Sequence, residues 1–421
     1  MKRLIESAQA RLAQLPVPVA VRLPDQSRLG AAQPAVSLAF EHWNTLSVFA
    51  AGHVGAIADG FVQGKVRIEG SMRQVMQAAA GLLPGDPTAD GNPRWQGWWQ
   101  KAASGIRHST RRDARQIRFH YDVSDTFYAL WLCPRRVYSC AYYARPELSL
   151  AQAQEAKLDH ICRKLMLQPG DRFLDIGCGW GGLLLWAAER YGVDATGITL
   201  SHNQHAHVAA EIARRGLSGR VRVELMDYRQ MPSDRQFDKI ASIGMFEHVG
   251  RANIRRYFRT IHDLLTPGGL ALNHGITAGG TDNAQLGWGI GDFVEKYIFP
   301  GGELLHVSHL LRETANGGLE MVDTENLRPH YARTLWDWSD ALERQIDAAR
   351  AALAHDADPS RAEQVLRAYR LYLAGSALGF ERGWMALHQM LSTRPTRDTR
   401  FDQPLGAQSR YPFTREHMYP R

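Results

Sequence analysis

The stretch FLDIGCGWGG, Phe173 to Gly182, places an acid and a cluster of glycines where a strand turns into a helix, and this junction constrains the fold more than any other part of the chain. Phe173, Leu174 and Ile176 read as a short buried strand, Asp175 stands just before the turn, and Leu183 to Arg190 resume with helical spacing. Glycine suits such a turn because it admits positive φ and leaves no Cβ in the path of a ligand. Gly177, Gly179 and Gly182 also fit the dinucleotide fingerprint. The string alone therefore admits NAD, S-adenosylmethionine or a turn that serves packing only.

The position of the acids weighs between these. A dinucleotide site wants an acid at the end of the second strand to hold the ribose hydroxyls. The second strand here, Asp194 to Ile198, ends in Thr199-Leu200-Ser201. Asp175 lies instead inside the first strand, where methyltransferases of the Rossmann-like class usually carry an acid, and the balance moves to S-adenosylmethionine.

At 421 residues the chain exceeds what one core usually holds, so two domains are expected. Hydrophobic content of 44% against 22% charged residues excludes neither half from a packed core and fits an ordinary soluble protein. The N-terminal MKRLIESAQARLAQLP is interrupted by Glu6, Gln9 and Arg11 and lacks the apolar core of a signal peptide. No stretch is long and apolar enough to span a bilayer. Cys133, Cys140, Cys162 and Cys178 show no paired metal spacing, and reduced thiols in the cytoplasm are the simplest reading.

The net charge of +7 is concentrated: Lys101, Arg107, Arg111, Arg112, Arg115 and Arg118 face the single acid Asp113, just after Trp95, Trp98 and Trp99. Tryptophan beside arginine suits an anionic membrane surface. A solvated linker with tryptophans packed between domains explains the same residues, and no nucleic-acid motif accompanies them.

Residues 1–93 read as a small N-terminal domain, with GKVRIEG at Gly64 to Gly70 alternating like a strand and Ser71 to Ala80 reading as a capped helix. It ends in a breaker-rich Gly81 to Pro93, followed by the basic linker 94–119, a catalytic domain 120–395 and a tail 396–421. Membrane approach or domain assembly, rather than chemistry, is the role expected of the N-terminal part and the linker. The catalytic domain has a βα rhythm, with strands near 172–176, 194–198, 221–225, 237–243 and 269–276. That alternation implies a Rossmann-like α/β fold with a mostly parallel sheet covered on both faces. Leu335 to Ala354 and Arg361 to Met390 read as long helices able to lid a greasy cavity.

Four further segments carry chemistry: YSCAYY at Tyr138 to Tyr143, FEHVG at Phe246 to Gly250, NHGI at Asn273 to Ile276 and HYARTL at His330 to Leu335. Glu247 and His274 are expected just past the C-terminal ends of two strands, where open α/β sheets bind ligands. With HYDVSDTFYALWL, GITLSHNQ and KYIFPGG in the same order, the chain from about His120 to Met390 resembles the cyclopropane-fatty-acyl-phospholipid synthases and, more broadly, the mycolic-acid cyclopropane synthase family.

The resemblance implies methylene transfer from S-adenosylmethionine to the double bond of an unsaturated acyl chain of a membrane phospholipid, with bicarbonate as base. A peripheral enzyme on an anionic membrane surface agrees with the basic tryptophan-rich segment, a homodimer would suit such an enzyme, and no nucleic-acid partner is expected. The family's bicarbonate site maps onto Cys140, Glu247, His274, Ile276 and Tyr331. Its cofactor site maps onto Tyr138, Ser139, the loop from Asp175 through Gly177, Cys178 and Gly179 to Gly181, then Thr199, Leu200, Gln204, Asp227 and Tyr228. Two neighbours such as Glu247 and His248 rarely chelate one metal, and no base stands by to make Cys140 a nucleophile. His202, His205 and His207 would face different ways on a helix. Asn273 and Gly275 depart from the apolar or threonine residues common in the family, and Ser376 stands where several relatives have cysteine. Methyl branching without ring closure, N-methylation of a small amine and a lipid-binding protein with a dead cofactor site remain the alternatives.

Overall fold

The structure is a computed structural model that describes residues 2–83, 85–88, 125–232, 234–282, 286–299, 302–356, 358–395 and 414–419. The basic tryptophan-rich segment from Trp95 to Arg118 and the start of HYDVSDTFYALWL lie outside the described residues.

The large sheet has seven strands: β5 (Arg172–Ile176), β6 (Asp194–Thr199), β7 (Val221–Leu225), β8 (Phe237–Ile243), β9 (Leu265–Ala278), β10 (Glu320–Asn326) and β11 (Met385–Thr393). Their order is β10-β11-β9-β8-β5-β6-β7. The five strands from β9 to β7 are parallel, and β11 joins antiparallel to both β9 and β10. β5 is central, and its Phe173 to Ile176 are buried because helices cover both faces. One face packs on α6 (Leu150–Lys164), α7 (Gly182–Tyr191) and α8 (His202–Arg214). The other packs on α11 (Val307–Asn316) and on α9 (Ile254–Leu264), whose Ile254, Tyr257, Phe258, Ile261 and Leu264 recur at helical spacing and are all buried. The doubly wound fold expected from the βα rhythm is present.

Two expected elements differ. The expected helix from Arg361 to Met390 stops at Arg382 and gives way to β11. Gly383, at φ 78°, caps helix α14 (Pro359–Arg382), and the following run finds two ladder partners, which outweigh any helical spacing in MALHQM. The expected helix from Leu335 to Ala354 is two, α12 (Arg328–Arg344) and α13 (Ile346–Asp356).

The N-terminal part builds its own four-stranded sheet, ordered β2-β1-β3-β4, from β1 (Val19–Arg22), β2 (Arg28–Gly30), β3 (Val36–Phe40) and β4 (Val66–Glu69). Helices α1 (Lys2–Ala13), α2 (Trp43–Ala51), α3 (Val54–Val62) and α4 (Met72–Leu82) accompany it, and Ser71 caps α4 by accepting the Gln74 N–H. This unit does not stand apart. Its apolar residues form one continuous core with α5 (Asp125–Trp131), α12 and α14. The Gly55 N–H donates to the Trp288 carbonyl at 3.1 Å. Asp59 accepts from Lys296 and from Tyr297 Oη on α10 (Ile290–Tyr297), and Arg367 donates to the Phe61 carbonyl at 3.3 Å.

A buried polar network fastens the C-terminal residues to α6. Glu325 accepts from His160 Nε2 at 2.8 Å and from Lys164 Nζ at 2.5 Å, while His160 Nδ1 meets the Met418 carbonyl at 2.9 Å. Tyr142 is sandwiched between the rings of His160 and His330, with centroids 4.3 and 4.8 Å away. Burial alone would raise the Glu325 carboxyl, but His160 and Lys164 reverse that and hold it at about 2. Its stabilising share is therefore full above about pH 4.5 and is lost as the pH falls toward 2. Glu325→Gln takes from the buried Lys164 ammonium the nearer of its two carboxylates, leaving Asp323 at 3.5 Å, and is expected to cost about 3 kcal/mol. Urea unfolding at pH 7 checks this, and the wild-type and variant midpoints should converge as the pH drops below 4.

Candidate active site

After β5 the chain turns through Gly177, Gly179 and Gly181 at φ of 76°, 55° and 81°, values that a side chain would strain. A Cβ added at Gly179 would meet no atom within 4 Å, so open space lies over the turn where a cofactor would rest. The N–H groups of Gly177 and Cys178 both donate to the Ile198 carbonyl at 3.0 Å, which ties the turn to β6. β6 ends without an acid: Thr199 Oγ1 donates to Gln204 Oε1 at 2.9 Å and accepts the Ser201 N–H at 3.2 Å. Leu200 follows, half-buried. Asp227 and Tyr228 stand beyond the end of β7, where Arg229 grips both Asp227 carboxylate oxygens at 2.9 and 2.6 Å. Asp175 is buried at the end of β5, and burial pushes its carboxyl up to about 7 against the pull of Lys157. The turn sits where the strand order reverses, at the mouth that open α/β sheets use for ligands.

Tyr138, Ser139, Cys140, Glu247, His274, Ile276 and Tyr331 line a single cavity of about 580 Å³. The five residues expected to hold bicarbonate thus come from four distant segments to the lining of one cavity. Glu247 lies on a short 3₁₀ turn, Phe246–His248, after β8. Its Oε1 accepts the Ile276 N–H at 2.7 Å, while Oε2 is buried with no partner among the described residues. Burial raises the Glu247 carboxyl to about 7, opposed by that N–H. His274 is not past a strand end, as the sequence suggested, but inside β9, level with Ile243 at the end of β8. β9 runs on to Ala278 because β11 supplies a full-length antiparallel partner. His274 Nδ1 faces Gln389 Nε2 at 3.2 Å, and its buried Nε2 has no partner among the described residues. Burial, aided by Lys157 and Lys164, holds the imidazole well below its ordinary value, so the ring is neutral. With the carboxamide N–H donating to Nδ1, the ring proton sits on Nε2, the nitrogen left to act as a donor.

The other members fit supporting roles. Burial pushes the Cys140 thiol well up, which removes the thiolate a nucleophile needs. Tyr331 is buried with its ring 4.7 Å from that of Phe380. The His248 ring lies 5.9 Å from that of Phe299, tilted by 53°, and the described residues hold no group of three side chains that could hold a metal ion. Asn273 Oδ1 accepts from Tyr257 Oη at 2.7 Å. Gly275 is different: a Cβ there would lie 2.5 Å from the Phe246 ring and 2.8 Å from Glu247 Oε1. At this departure from the family pattern the missing Cβ leaves room for the Phe246 ring and Glu247 Oε1.

Sequence reasoning missed two contributions. The cavity runs on between α3, α4 and α14, lined by Ile57, Ala58, Val75, Met76 and Ala79 on one side and Gly375 and Ser376 on the other. The N-terminal part therefore walls the site, beyond the assembly role expected of it. Gln154 and Lys157 on α6 were also missed. Gln154 donates to the Ser139 carbonyl at 2.8 Å and Lys157 to Ser139 Oγ at 2.9 Å, holding the Tyr138-Ser139-Cys140 turn from behind. Their signal was polar residues at i, i+3 falling on a face shared with Ile161.

Gly275→Ala is expected to displace Glu247 from the Ile276 N–H and to lower turnover about a hundredfold. Binding of S-adenosylhomocysteine, measured by calorimetry, should stay within about twofold, because the glycine turn is on another segment.

The comparisons with known proteins agree with this geometry. The family model described as mycolic acid cyclopropane synthetase matches residues 108–390. A Pseudomonas putida protein with the description "Probable fatty acid methyltransferase" is 42% identical over 363 residues, 86% of each chain. Cyclopropane mycolic acid synthase MmaA2 of Mycobacterium tuberculosis is 36% identical over 282 residues, 65% of this chain and 94% of its own. Its solved structure superposes with a TM-score of 0.61, covering 66% of this chain and 97% of that one at 35% identity. The cyclopropane synthase CmaA1, solved with S-adenosylhomocysteine and CTAB, gives 0.60 at 36% identity over 66% of this chain and 97% of that one. The glycine turn, the acid-free end of β6 and these matches make the chain an S-adenosylmethionine-dependent methyltransferase that acts on lipids, and it belongs to the mycolic acid cyclopropane synthetase family.

Proposed function

We propose that the chain converts the double bond of an unsaturated acyl chain in a membrane phospholipid into a cyclopropane ring, with bicarbonate held at Glu247 and His274 as the base. The observation that carries this reading is the pair of buried, unpartnered polar atoms, Glu247 Oε2 and His274 Nε2, on the wall of an otherwise largely apolar cavity. A buried polar atom without a partner is costly, and a small anion with both acceptor and donor oxygens would satisfy the two together.

S-adenosylmethionine, when bound over the glycine turn, supplies an electrophilic methyl carbon to the double bond. Positive charge then develops on the acyl chain, and ring closure requires a proton to leave the transferred carbon. The neutral His274 donates a hydrogen bond from Nε2, and Glu247 accepts one at Oε2, which orients bicarbonate in the cage. Near pH 7 the Glu247 carboxyl exchanges its proton readily, because burial has brought it to about 7. Tyr331 and the backbone of Cys140 close the rest of the cage, while the Ile276 N–H holds Glu247 in place. The apolar walls from α3, α4 and α14 exclude water from a cation that water would capture.

The acyl chain itself would lie between α4 and α14, where Ala79, Gly375 and Ser376 leave room. Among the described residues no helix is long and apolar enough to cross a membrane. The lipid would be met at an anionic bilayer surface, toward which the basic residues Arg111, Arg112 and Arg115 would be drawn. The description of the Pseudomonas putida relative favours a second reading, methyl branching without ring closure. Proton NMR and mass spectrometry of phospholipids from cells expressing the chain separate the two: a ring gives upfield cyclopropane methylene signals, a branch gives none.

Glu247→Gln is expected to lower ring formation about a hundredfold or more while S-adenosylhomocysteine binding persists. In buffer stripped of carbon dioxide the unmodified enzyme should slow and recover on adding bicarbonate. Its kcat/KM should climb as the pH passes about 7, and that limb should be missing in Glu247→Gln. Ala79→Phe is expected to cut the rate on long acyl chains about tenfold relative to short ones, read from a mixed-lipid competition assay.

A further inference from the structure

Lys157 lies on α6 with 1% of its surface exposed. Its ammonium donates to Ser139 Oγ at 2.9 Å and makes no other hydrogen bond and no ion pair among the described residues. The ion pairs of its helix neighbour Lys164, with Glu325 at 2.5 Å and Asp323 at 3.5 Å, show what an ordinary buried lysine requires. A desolvated charge with a single neutral partner is retained where a ligand completes it.

The hydrogen-bond polarity at Ser139 follows from this contact. An ammonium has only hydrogens to offer, so it occupies a lone pair of Oγ, and the single Ser139 proton must point elsewhere. Gln154 fixes the same residue through its carbonyl at 2.8 Å, so the turn cannot rotate to hide the hydroxyl. Ser139 lines the cavity next to Tyr138. The acid whose charge acts on Lys157 is Asp175, two residues before Gly177. A donor hydroxyl backed by a buried cation and a buried acid therefore stand together at the foot of the glycine turn. Of the parts of S-adenosylmethionine, only the methionyl end carries a carboxylate and an ammonium to match them.

We propose that Lys157 is a positioning residue for the methionyl carboxylate of the cofactor: it fixes the Ser139 hydroxyl as a donor to that carboxylate and supplies the buried positive charge that balances it. The proposal rests on the assignment of the glycine turn to S-adenosylmethionine. Calorimetry with two ligands tests it: S-adenosylhomocysteine, and 5′-methylthioadenosine, which keeps the adenosine and the sulfur but has no amino-acid group. Lys157→Met is expected to weaken S-adenosylhomocysteine about a hundredfold and leave 5′-methylthioadenosine within about twofold. Ser139→Ala should weaken the first ligand about tenfold, and the double variant should bind no worse than Lys157→Met alone, since the two act as one unit.

Equal losses for both ligands in a folded Lys157→Met, or unchanged S-adenosylhomocysteine binding, would overturn the proposal. If Lys157→Met does not fold, Ser139→Ala decides alone: a loss confined to S-adenosylhomocysteine supports the arrangement, and any other pattern sinks it. Failure of the unmodified protein to bind S-adenosylhomocysteine would instead refute the assignment of the turn.

Discussion

The contact between Glu247 Oε1 and the Ile276 N–H is the constraint around which the site is organised. It joins the turn after β8 to the C-terminal end of β9, beside Gly275, whose missing Cβ leaves room for Glu247 Oε1. Once it is made, one carboxylate oxygen is spent on the backbone and the other faces the cavity. Burial then does the electrostatic work, raising the acid and lowering the imidazole of His274 until the two titrate in a range useful near neutrality or stay neutral. Strand β11 matters for the same reason. It extends β9 past the ends of its parallel neighbours and brings Gln389 opposite His274, which sets the orientation of the ring.

Much of the fold was legible because the βα rhythm and the glycine turn are local signals. Phe173, Leu174 and Ile176 could be recognised as a short buried strand from their apolar side chains, and β6 ends at Thr199 without the acid that a dinucleotide site wants. β11 was not legible. MALHQMLST mixes polar and apolar residues without either period, and its strand state is decided by two partners more than 50 residues away in sequence. The place of His274 was misjudged for the same reason, since the length of β9 depends on that hidden partner.

The site residues divide along the same line. Glu247, His274 and Tyr331 came to notice through resemblance, and the structure brings them to one cavity. Lys157 and Gln154 carry no motif. They were visible only as polar residues on a helix whose other buried positions are mostly apolar, a pattern with many ordinary explanations. The N-terminal wall of the cavity was invisible too, because surfaces as small as Ala58 and Ala79 acquire meaning only when Gly375 and Ser376 stand opposite.

That wall gives the cavity a thermodynamic character of its own. Its lining is drawn from two sheets whose helices share one apolar core, so a molecule seated there touches both at once. By linkage, whatever binds between them must strengthen their grip on each other, by an amount set by its concentration relative to its dissociation constant. Substrate supply and the mechanical cohesion of the two halves are then a single equilibrium, and a chain crowded with lipid should resist proteolysis at that seam better than an empty one.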